Sequence, residues 1–114
     1  MMNAKLTFNS QRVGTGGAVV LKLVGPITLD NIGAFQSELA ENRPPVMIFD
    51  MSEVPYIDSS GVGVMISYYS NGQKEGRRMA LVGLNERVTT LLRLTKVLTL
   101  LKSFPTVEEA VSKA

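Results

Sequence analysis

Residues 46–69 read VMIFDMSEVPYIDSSGVGVMISYY, directly after Pro44 and Pro45. Val46, Met47, Ile48 and Phe49 form an unbroken apolar block, the pattern of a strand buried on both faces in the middle of a sheet. Residues 50–55 carry turn-forming types and end in Pro55, so a turn is expected there. From Val62 onward the apolar side chains fall at Val62, Met65, Ile66 and Tyr69, the i, i+3, i+4, i+7 spacing of one helix face. Asp58, Ser59 and Ser60 therefore stand where a strand and its loop become the N-terminus of a helix.

A helix start leaves about four backbone N–H groups without partners and gathers roughly half a positive charge, so hydroxyls and anions are favoured there. The plainest role for Asp58 or Ser59 is that of N-cap. A serine at this junction is also a candidate phosphorylation site, whose phosphate would meet the free N–H groups and, at the same time, the Asp58 carboxylate. Gly61 and Gly63 sharpen the second reading. Each costs roughly 1 kcal/mol against alanine in a helix, and each leaves backbone open to a partner or a phosphate. The same helix carries Val64 and Tyr68 on a further side, so its apolar surface is wider than one stripe. Two accounts stand open: deeper burial under neighbouring helices, or a small docking patch beside Ser59 that a doubly charged phosphate would disable.

Working outward, Leu6, Thr7 and Phe8 and then residues 18–24 read as two strands around the Gly14, Thr15, Gly16, Gly17 turn. Val19, Leu21 and Leu23 alternate with Val20, Lys22 and Val24, as in an antiparallel hairpin at a sheet edge. Thr28 is a candidate cap for a helix burying Ile32, Phe35 and Leu39, which Asn42, Arg43, Pro44 and Pro45 stop. Asn71 and Gly72, or Gly76, close the motif helix. Met79, Ala80, Leu81 and Val82 read as another buried strand. Gly83 and Asn85 turn into a helix with Val88, Leu91, Leu92 and Thr95 on one face. Residues 97–101 are expected to form a last strand, and Thr106 with Glu109 forms a capping box opening a C-terminal helix. Strands alternating with helices after a hairpin indicate an α/β fold: a mixed β-sheet with helices packed largely on one side.

Composition excludes several chemistries. The 114 residues contain no cysteine and no histidine, and the net charge is +2. One domain of this length, residues 1–114, buries roughly two-thirds of its unfolded surface without staples. A Ser-His-Asp mechanism is impossible, and metal sites lose their commonest ligand. Ser59 or Ser60 as an enzymatic nucleophile has no activating base, because Lys74 lies several turns further along the helix. Lys74, Arg77 and Arg78 around Glu75 form the tightest basic group, which reads as a solvated turn rather than a nucleic-acid footprint. No apolar run approaches the ~18 residues of a spanning helix, and the opening Met-Met-Asn-Ala-Lys lacks the apolar core of a signal peptide. A cytoplasmic protein with no membrane insertion is expected.

Ile57, Asp58, Ser59, Ser60, Gly61, Val62, Gly63 and Val64, preceded by the strand at 46–50, resemble the phosphorylation motif of the STAS domain family, bacterial anti-sigma-factor antagonists in particular. The likeness extends over nearly the whole chain. It departs at Pro26, where antagonists often carry an acidic residue, and at Lys96, where a glycine is usual. The resemblance implies that Ser59 is the phosphoacceptor. It implies that Asp58, Ser60, Gly61, Val62, Gly63, Val64 and Tyr68 form the partner-binding surface, and that no cofactor takes part. The expected partner is an anti-sigma factor that is also a serine kinase, bound by the unphosphorylated form and released on phosphorylation. A PP2C-type phosphatase would reset the switch, and the effect on transcription would be indirect, without direct nucleic-acid contact. The alternative within the family is a scaffold or accessory subunit of a stressosome or a lipid-transport ABC assembly.

Overall fold

The block at 46–49 lies at the heart of a computed structural model that describes residues 5–114. It opens β3, Val46–Glu53, the middle strand of a five-stranded sheet. The hairpin of β1, Thr7–Val13, and β2, Ala18–Val24, pairs antiparallel, from Thr7 opposite Val24 to Val13 opposite Ala18. From β2 onward every pairing is parallel, through β3 and β4, Arg78–Val82, to the short β5, Lys102–Phe104. Strand order in space is the order in the chain. Each parallel step needs a crossover, and crossovers that all move the same way with the same right-handed sense put their helices on one face. These helices are α1, Ile32–Ala40, α2, Ser59–Lys74, and α3, Glu86–Leu94. The last helix, α4, Val107–Lys113, has no strand left to reach and packs on the opposite face.

Period-two alternation divides β3 between two cores. Met47, Phe49 and Met51 join the large core under α1 to α3, whereas Ile48 joins Ala80, Val82 and Ala110 under α4. An aromatic row ties the large core together: Phe8 on Phe35 at 6.3 Å, Phe35 on Phe49 at 6.1 Å, and Phe49 on Tyr68 at 5.7 Å. No described helix is long and apolar enough to cross a membrane. Residues 1–4, which belong to the opening segment expected to lack a signal-peptide core, lie outside the described residues.

Several boundaries differ from expectation, each for a local reason. The turn expected at 50–55 is strand as far as Glu53, because Glu53 pairs with Val24 and Met51 is fully buried. The first strand runs on through polar residues to Val13, as an edge strand can. Thr28 does not cap α1. Its N–H is instead taken by the Asn31 side chain at 2.9 Å, Asn31 also holds the Pro26 carbonyl, and the helix starts at Ile32. The Thr106 hydroxyl accepts from Glu109 N, but the Glu109 carboxylate reaches forward to Lys113.

The strand expected at 97–101 is a 3₁₀ turn over Val97–Thr99, and β5 follows it. Val97 and Leu101 lie one turn apart and are both buried, with Leu101 N bonded to Val97 O at 2.9 Å. A five-residue apolar run does not by itself distinguish a strand from a helical turn. What sets this turn is Lys96, which ends α3 in the left-handed region at φ 65°. At the end of α2, Gly76 adopts the same conformation at φ 73°. There Arg77 N returns to Gly72 O and Gly76 N to Gln73 O, a Schellman closure. Lysine at such a position carries a steric cost that glycine does not. Lys96→Gly should therefore stabilise the protein by about 0.5–1 kcal/mol in urea denaturation, and an unchanged or lower midpoint would contradict this account of the α3 end.

Candidate functional site

The junction before α2 is built around the Asp58 carboxylate. Asp58 is the N-cap; its Oδ1 accepts from Ser60 N at 2.9 Å and Gly61 N at 3.2 Å. Its Oδ2 accepts from Leu29 N at 3.0 Å, in the loop between β2 and α1. That loop is also held by backbone, since Asp58 N donates to Ile27 O and Ile27 N to Tyr56 O. One side chain therefore fixes the helix start and the neighbouring loop together. Charge-assisted bonds of this kind are among the stronger hydrogen bonds available.

Ser59, the first residue of α2, is exposed, and its hydroxyl has no hydrogen-bond partner among the described residues. Ser60 is half-buried beside it. The amides expected to receive a phosphate are mostly engaged, because Asp58 already holds Ser60 N and Gly61 N. A phosphate on Ser59 would stand next to a carboxylate that cannot turn away without releasing the loop.

Burial separates the other expected contact residues. Gly63 is exposed, with nothing within 4 Å of where a Cβ would stand. Gly61 is buried, and a Cβ there would come within 2.8 Å of Ile27 Cγ2. Its missing side chain lets α2 approach the Ile27 loop. Val62, Val64 and Tyr68 are buried at 5%, 9% and 8% exposure, so their side chains belong to the core rather than to an open docking patch. The buried face of α2 is thus turned from the expected one: Gly61, Val62, Val64, Met65, Tyr68 and Gly72 lie under cover, while Ile66 and Tyr69 are only half-buried. Tyr68 crosses the core edge-on to Phe49 and donates its hydroxyl to Asn42 O at 2.8 Å.

The surface left exposed on α2 includes a strip of small and polar side chains at i, i+4 spacing, namely Ser59, Gly63, Ser67 and Asn71, with Ser70, Gln73 and Lys74 exposed beside its far end. At its head stands Leu29, 70% exposed on the loop that Asp58 holds. Leu29 was not legible as a site residue, since it lies in a loop whose position depends on a hydrogen bond to a residue 29 places away. Arg77 was also misjudged. Its side chain is only 10% exposed, paired with Glu75 and laid over the Tyr68 ring at 5.0 Å.

The STAS domain family profile matches residues 9–110. Among solved structures, a candidate anti-sigma factor antagonist from Thermotoga maritima is 25% identical, with TM-score 0.84 over 93% of this chain and 92% of that one. The Bacillus cell fate determinant SpoIIAA in its phosphorylated form is 18% identical, with TM-score 0.71 over 94% of this chain and 98% of that one. A sulfate transporter family protein from Wolinella succinogenes is 23% identical, with TM-score 0.75 over 89% and 87% of the two chains. The last two similarities are similarities of fold.

Proposed function

The chain belongs to the STAS domain family, and from that premise we propose that it is an anti-sigma-factor antagonist: a phosphorylation-switched binding module rather than an enzyme. In its unphosphorylated form it binds an anti-sigma factor that is also a serine kinase, and so frees a sigma factor in the cytoplasm. Transfer of the ATP γ-phosphate to Ser59 ends the interaction, and a PP2C-type phosphatase restores it. The observation that carries this reading is the setting of Ser59: an exposed, unbonded hydroxyl at a helix start, beside a carboxylate committed to three backbone amides.

In this mechanism the recognition surface is Ser59, Gly63 and the adjoining strip of α2, with Leu29 as its apolar contact. Asp58 and Ser60 shape the acceptor, while Gly61, Val62, Val64 and Tyr68 support it from beneath. Phosphate adds close to two negative charges whose neighbouring donors are already taken, so the repulsion and desolvation fall on the partner's side of the interface. A coupling of about 3 kcal/mol between phosphate and partner changes affinity more than a hundredfold.

The test is capture of partners from the native cytoplasm followed by phosphopeptide mapping. A sigma-regulating kinase in the eluate, with phosphate on Ser59, is the expected result. Transporter or stressosome subunits in its place would contradict the antagonist role. With that kinase in hand, Ser59→Ala should abolish labelling while retaining the fold and most binding, since the hydroxyl makes no bond that the fold needs. Ser60→Ala should still be labelled. Phosphate on Ser60 would overturn the residue assignment.

A further inference from the structure

Between α1 and α2 lies an open groove of about 790 Å³, within the size range of small-molecule sites. Ile32, Gly63 and Ser60 line the end nearer the start of α2, and the exposed Ala40 with the edges of the mostly buried Leu39 and Val64 adds apolar lining. Arg43, Lys74 and Arg77 also line the groove, with Glu75 as the acidic residue among them, and Arg77 lies over the Tyr68 ring. Arg43 and Arg77 both lie close enough to Tyr68 to oppose the rise that burial imposes on its phenol.

Arg77 is the informative residue. Glu75 Oε1 takes its Nε at 2.8 Å and its Nη2 at 2.7 Å, and the Tyr68 ring covers its face. Its Nη1 is buried without a hydrogen-bond acceptor. A largely buried guanidinium with one nitrogen unsatisfied is costly unless another acceptor arrives. Glu75 offsets only one of the charges gathered here, and its own side chain is 51% exposed.

The geometry points to a binding site for a small amphipathic organic anion, its carboxylate or phosphate held by Arg43, Lys74 and Arg77 and its apolar body lying along Ile32 and Ala40, across the small edges of Leu39 and Val64 that reach the groove. Carboxylate and phosphate oxygens suit the free Nη1 of Arg77 beside the exposed cations of Arg43 and Lys74, and the apolar lining discriminates against a bare inorganic ion. The groove shares Gly63, Ser67 and Asn71 with the recognition strip proposed above, but Ser59 is not part of its lining, and the anion site does not rest on phosphorylation there.

The experiment is a titration followed by amide-resolved NMR, using decanoate and decyl phosphate as probes, decan-1-ol as the uncharged control and inorganic phosphate as the headgroup alone. Saturable shifts are expected at Leu39, Val64, Tyr68 and Arg77, with decan-1-ol and inorganic phosphate each at least tenfold weaker than the better anion. Whichever of decanoate and decyl phosphate binds more tightly identifies the headgroup. The double variant R43A/K74A alters exposed side chains, so it should remain folded, weaken both anions at least tenfold and leave decan-1-ol unchanged. Glu75→Gln removes the competing carboxylate and should tighten anion binding about threefold. The proposal is overturned by an absence of saturable shifts, by equal affinity for decan-1-ol, by inorganic phosphate binding as well as the amphiphiles, or by shifts centred instead on the exposed Leu94 and Leu100. Thermal melts of each variant separate a lost site from a lost fold.

Discussion

Phe49→Ala is expected to cost about 3–5 kcal/mol and Ile48→Ala about 2–5 kcal/mol, the range for emptying a close-packed site that relaxes only in part. The two residues are adjacent but act on opposite faces of the sheet. Phe49 is fully buried, lies between Leu21 and Leu81 in register, and meets Phe35 and Tyr68 edge-on. Its loss would open the aromatic row that joins α1 and α2 to the sheet. Ile48, also fully buried, packs with Ala80 and Ala110, so its loss would loosen α4. Since domains of this size have roughly 5–15 kcal/mol of total stability, either change removes a large share of it. Urea denaturation measures both, and losses below about 1 kcal/mol at the two positions would mean that β3 is not the central strand.

That strand was readable because a parallel sheet covered on both faces leaves an unbroken apolar run, and residues 46–49 and 79–82 are such runs. The start of α2 was equally plain, since Asp58 caps as its type and position require. What remained hidden depends on neighbours distant in sequence. Met51 and Glu53 stand in a stretch that reads as a turn, with Asp50, Ser52 and Pro55, until β2 is placed beside them. β5, Lys-Ser-Phe, carries little strand signal of its own and forms because the end of β4 offers it a partner. Periodicity showed that α2 has more apolar surface than one stripe, but not that Val64 and Tyr68 would be buried in the core, with the Tyr68 hydroxyl on the Asn42 carbonyl. The basic turn at 74–78 reads as solvated in sequence because nothing local reveals that the Arg77 guanidinium folds onto Tyr68. In the site itself, the acceptor and its cap were legible, whereas Leu29 and the engagement of the helix-start amides were not.

Phosphorylation of Ser59 is expected to weaken partner binding by more than a hundredfold while leaving the domain folded. The charge enters at the head of α2, where the helix dipole offsets part of its cost to the fold. The local donors it would need are bonded to Asp58, so no internal site neutralises it. An acidic partner surface would repel it, and an apolar one would have to bury it without a cation. Ser59→Asp carries less charge and lacks the three phosphate oxygens, and should give a partial defect with near-neutral effect on stability. The decisive measurement is titration calorimetry of unmodified, Ser59→Asp and enzymatically phosphorylated protein against the purified partner kinase, with thermal melts of each. The account predicts tight, intermediate and at least hundredfold weakened binding in that order, with the melts close together; phosphorylated protein that stays folded and binds as tightly as the unmodified form would contradict it.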